Sequence, residues 1–135
     1  VGFRKHGEVL RRNQDGVTVL ISIERGLADQ WHINVGFWLD SFGSLESNRV
    51  ESTHFYCRLE RLVPFYRNTI LASGDLLASD QSVGYDKLLT LLTSEIDKKL
   101  QTIGTEQGLR AAIRDNTLPP GLLRAEARAY LDQAC

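Results

Sequence analysis

The spacing of apolar residues changes once along the chain, from a period of two in its first half to about 3.6 in its second. Trp31–Leu39 alternates most clearly, with Trp31, Ile33, Val35, Phe37 and Leu39 set against His32, Asn34, Gly36 and Trp38. Strand side chains point to opposite faces, so this segment predicts one wholly apolar face and one mixed face of polar and aromatic groups around a glycine. Residues 8–12 and 17–23 predict two further strands, the second carrying Val17, Val19, Ile21 and Ile23 on one face. Asp15-Gly16 signals the hairpin turn between them, because glycine tolerates positive φ and aspartate bonds its own backbone. Residues 25–30 predict a looser polar turn. Ser, Gly, Asn and Glu dominate residues 41–53, which predicts an exposed, mobile loop. A short fourth strand is expected within residues 54–62, stopped by Pro64.

From Asp80 onward, Tyr85, Leu88, Leu89, Leu92, Ile96, Leu100 and Ile103 make one helical stripe. Asp86, Lys87, Glu95, Asp97, Lys98 and Lys99 lie opposite, and Gly104 sits at the expected stop. Thr105 is a good N-cap for a second helix over residues 105–114, burying Leu109, Ala112 and Ile113. Pro119-Pro120 forces an irregular segment, after which Leu122, Leu123, Ala127, Tyr130 and Leu131 predict a last helical stripe. Strands first and helices after, without βαβ alternation, predict a single α+β domain over residues 1–135. Its expected form is a four-stranded antiparallel meander within residues 1–62, with the C-terminal helices of residues 80–133 packed on one face.

A chain of 135 residues suits one hydrophobic core without metals or disulfides. Sixteen Lys and Arg against 17 Asp and Glu give a net charge of -1, and no long basic run supplies a local field, so no nucleic-acid partner is expected. Apolar runs fall far short of the roughly 20 residues that cross a bilayer, so no membrane partner is expected either. Cys57 and Cys135 are too far apart for metal-ligand spacing, and no cofactor or metal is expected. Free thiols and no visible signal peptide predict a cytoplasmic location. The chain starts at Val1 and contains no methionine, so an upstream targeting segment could have been lost.

With the strands paired in order, the mixed face gathers His32, Asn34, Trp38, Tyr56, Arg58 and Glu60, with Ser22 and Glu24 from the neighbouring strand. Trp, Tyr and Arg offer large contact areas with few rotamers to lose, and Gly36 leaves a hollow between them. A helix or the 41–53 loop covering this face is the competing outcome. His54 and Cys57, three residues apart in a strand, point to opposite faces; Cys57 shares the face of Phe55 and Leu59, which predicts burial rather than reactivity. Gly43-Ser44 and Gly74-Asp75 read as turns, and neither has the further glycines and lysine of a phosphate loop.

Gly2-Phe3-Arg4-Lys5-His6-Gly7, the strand at residues 16–23, Ile33-Asn34-Val35-Gly36 and Arg58-Leu59-Glu60-Arg61-Leu62 together resemble a bacterial family known as domain of unknown function family 4304. The resemblance implies a small intracellular α+β domain and brings no catalytic residues with it. Small bacterial α+β proteins without enzymatic motifs include immunity proteins that neutralise a toxin, so a toxin is one expected kind of partner. The expected function is therefore non-catalytic protein binding through Glu24, His32, Asn34, Trp38, Tyr56 and Arg58. The alternative is a small enzyme of unrecognised type, with His32, Glu24, Tyr56 and Arg58 converging on a small molecule in a deep pocket. A third reading, assembly through the leucine-rich helix, predicts a dimer.

Overall fold

The computed structural model describes residues 3–6, 9–25, 31–94 and 96–133. Most of the turn expected over residues 25–30, together with Gly2, Gly7, Glu95 and Cys135, lies outside the described residues. Among the described residues six strands form one antiparallel sheet in sequence order: β1 (Arg4–His6), β2 (Val9–Gln14), β3 (Val17–Arg25), β4 (Trp31–Leu39), β5 (Phe55–Arg58) and β6 (Leu122–Leu123). The α+β class and the meander are as expected, but the sheet has six strands rather than four. A short strand is added at each edge. The β2–β3 turn falls at Asp15-Gly16, where Gly16 takes a φ of 80°.

Apolar side chains of the strands and helices share one core. Leu10, Val19, Ile21, Val35, Phe37 and Phe55 meet Ile70, Leu77, Leu88, Leu92, Ile96 and Leu100 there. The helices are α1 (Leu59–Leu62), α2 (Arg67–Ser79), α3 (Gln81–Leu92), α4 (Asp97–Ile103), α5 (Glu106–Arg114) and α6 (Ala125–Leu131). The single stripe expected from Tyr85 to Ile103 is buried but belongs to two helices. α3 ends at Leu92, and just beyond it Thr93 and Ser94 turn their hydroxyls onto the carbonyls of Leu89 and Thr90. α4 restarts in phase, so Ile96, Leu100 and Ile103 reach the same core. Thr105 caps α5 as expected, accepting the Gly108 N–H at 3.0 Å.

Three expectations need correction. The strand expected within residues 54–62 ends at Arg58, and Leu59–Leu62 forms a helical turn that carries Glu60 off the sheet. Gly74-Asp75 is no turn, since both residues lie inside α2, whose buried residues Ile70, Ser73, Gly74 and Leu77 repeat at helical spacing. Leu122-Leu123 begins no helix but pairs with Phe55 and Tyr56 as β6. Gly121 makes that pairing close: a Cβ there would stand 2.4 Å from the Tyr56 carbonyl oxygen.

Candidate functional site

Register fixes the mixed face row by row. Ser22, Asn34 and Arg58 lie side by side, as do Leu20, Gly36, Tyr56 and Leu122, while Thr18 pairs with Trp38 and Glu24 with His32. Period-two geometry therefore brings Glu24, His32, Asn34 and Arg58 to one end of this face, with Tyr56 in the Gly36 row between them and Trp38.

The segment after β4 lies over the Trp38 end, so the 41–53 loop covers part of this face, while residues 41–44, 46, 48 and 49 are exposed as expected. It contains two helical turns, Asp40–Phe42 and Val50–Ser52. Leu45 and Val50 bury themselves against Leu20, with Val9, Trp38 and Tyr56 packed around them. Thr53 fills the hollow at Gly36, where an added Cβ would meet its Oγ1 at 2.6 Å. Its hydroxyl is held by the carbonyls of Val50 and Phe55. Trp38 donates its indole N–H to the Gly43 carbonyl at 2.7 Å and stacks on His54 with centroids 4.1 Å apart. Phe42 closes the other side of the imidazole at 4.4 Å. His54 is buried, and its Nδ1 accepts the Leu39 N–H at 2.9 Å, so the neutral ring is used structurally. Burial pulls its pKa below 6.5, with Glu126 opposing and Arg124 assisting. Trp38 is thus a buttress for the loop.

Glu24, His32, Asn34, Tyr56 and Arg58 are all half-buried at the other end. Glu24 is held on three sides. Its carboxyl accepts from Asn34 Nδ2 at 2.9 Å and from Ser22 Oγ at 3.4 Å, and it shares a hydrogen bond with Glu51 of the Val50–Ser52 turn. Burial raises its pKa first, Glu51 adds to the rise, and Ser22 and Arg58 oppose it. Arg124 in turn anchors the Glu51 carbonyl at 2.9 Å. Among the described residues no hydrogen bond joins His32 to Glu24, Tyr56 or Arg58. A cleft of about 300 Å³ opens beside these residues, lined by Asn34, Tyr56, Cys57, Arg58, Arg61, Gly121 and Leu122. Cys57 is buried as expected, and desolvation pushes its thiol up to about 12, far from a reactive thiolate.

Arg61 and Leu122 escape a reading of the sequence by strand period alone. Continuing the strand to Leu62 would put Arg61 on the apolar face with Cys57 and Leu59; the α1 turn swings it back to the cleft. The signal was present, because Leu59, Leu62 and Val63 repeat at three and four residues just before Pro64. A larger groove of about 580 Å³ runs along α2 and α3 past Ala72, Leu76, Val83 and Leu91. Its ionisable lining residues are Asp86 and Lys87, neighbours on α3.

These features define a small α+β domain with one sheet face sealed by helices and the other half-covered by its own loop. No family model matches the chain, and neither a curated protein nor a solved structure does. Among the described residues no group of three or more His, Cys, Asp or Glu side chains is placed to hold a metal ion. Nor is any of their helices long and apolar enough to cross a membrane.

Proposed function

We propose that the chain is a non-catalytic binding domain that holds another protein on the open end of its mixed face. The observation that carries this reading is the row Ser22, Asn34, Arg58, flanked by Glu24 and Tyr56 on strands whose opposite faces are locked into the core. A rigid sheet presents these groups with little ordering left to lose on binding, and Tyr and Arg dominate contact energies at such surfaces. Glu24 accepts from Asn34 and Ser22, which fixes its place on this face. The resemblance to family 4304, a cytoplasmic location and a toxin as partner belong to this proposal and rest on the sequence.

Recombinant full chain would be used to capture partners from a lysate of the source cells. Arg58→Ala and Tyr56→Ala are expected to weaken retention of a true partner at least about tenfold each, a loss typical of contact hot spots. Trp38→Ala is expected to act through loop stability instead. Partners retained equally by both Arg58→Ala and Tyr56→Ala would place the binding surface elsewhere.

A further inference from the structure

The geometry points to a more specific role for the cleft beside β5: Arg58 and Arg61 receive an acidic side chain of the protein partner, while Leu122 and Tyr56 take an apolar neighbour. This inference rests on the binding reading above and sharpens it.

The first argument is the contrast among arginines. Arg11 is held by the Leu45 carbonyl, Arg12 by Asp97, Arg110 by Glu106 and three carbonyls, and Arg124 by Glu51 and Glu126. Arg58 is the one other arginine among the described residues that is not exposed, and it makes no hydrogen bond or ion pair with any of them; Arg61 beside it is exposed and unpaired, as Arg67 and Arg128 are elsewhere. Glu24 acts on Arg58 only through space, its oxygens already engaged by Asn34, Ser22 and Glu51.

The second argument is the lining. Arg58 and Arg61 line one cleft whose other lining residues, Asn34, Tyr56, Cys57, Gly121 and Leu122, include no carboxylate. Arginine pairs with carboxylates through two parallel hydrogen bonds, and such charge-assisted bonds strengthen where water is partly excluded. The third argument selects the source of the anion. A net charge of -1 gives no long-range attraction for a polyanion, whereas a 53 % exposed Leu122 on the cleft rim suits an acidic residue followed by an apolar one.

The test is selection of short random peptides displayed against the full chain, followed by titration of the synthesised winners. Winners should carry Asp or Glu beside an apolar residue, lose about tenfold affinity or more when the acid becomes its amide, and lose as much on Arg58→Gln with Arg61→Gln. In that double variant the acid-to-amide change should no longer matter. Arg61→Gln alone, at an exposed position, gives a partial loss in a fold that circular dichroism shows intact. Winners that bind this face equally well as amides, or that inorganic phosphate displaces as readily as free acidic peptide does, would overturn the acidic-contact inference and leave the binding surface standing. Failure to select any peptide whose binding slows hydrogen exchange at residues 31–34 and 56–61 would overturn both.

Discussion

Gly36 sets how closely the Val50–Ser52 turn approaches the sheet. A methyl group there would press on a Thr53 side chain that is fully buried and twice hydrogen-bonded, so neither partner has room to yield. Gly36→Ala is expected to lower stability by about 1–3 kcal/mol in urea unfolding, the usual cost of overpacking. Unchanged stability would show slack that the contact distances deny. Two ionisable residues on the same side give opposite pH dependences. Glu24 has a raised folded pKa, so its favourable contribution is complete below the ordinary 4.5 and is lost as pH rises through the raised value. His54 has a lowered one, so its contribution is complete above 6.5 and is lost as pH falls through the folded value. Thermal melts should show Glu24→Gln gaining on the wild type from acid toward neutral pH. A constant difference across that range would mean that neither burial nor Glu51 raises the Glu24 pKa.

At the level of elements, the segment between β4 and β5 behaves as a cover with its own small core. Leu45→Ala removes one of the three fully buried residues of that core and is expected to cost about 2 kcal/mol, the low end for such truncations, because one side of the cluster borders solvent. The loss should be local: hydrogen exchange should quicken over residues 41–53 while β3 and the helical core keep their protection. Uniform acceleration would show that cover and core unfold as one. The sequence concealed this cover because its two apolar anchors, Leu45 and Val50, are five residues apart in a polar run and match neither a period of two nor one of 3.6. α2 was hidden for a different reason: its buried positions Ile70, Ser73, Gly74 and Leu77 keep the helical period, but half of them are small or polar. The strong signals survived contact with tertiary structure. β3, β4 and the Tyr85 to Ile103 stripe follow their periods, although two helices rather than one carry the stripe.

Over the whole molecule, the two faces of one sheet have different fates. Period-two alternation in β3 and β4 was enough to name both faces and the residues on each, which placed Glu24, His32, Asn34, Tyr56 and Arg58 together before any fold was known. It could not say how far the mixed face stays open, since that depends on a loop closing from outside the strands. Trp38 went with the loop for this reason, and Arg61 and Leu122 joined the cleft through a helical turn and a two-residue strand. The α2–α3 groove offers a rival surface of larger volume and plainer chemistry. Hydrogen exchange measured on the full chain with a captured partner bound separates the two most directly. The account predicts slowed exchange at residues 31–34 and 56–61 with α2 and α3 unchanged; protection confined to residues 69–91, with the β4–β5 end exchanging as in the free protein, would contradict it.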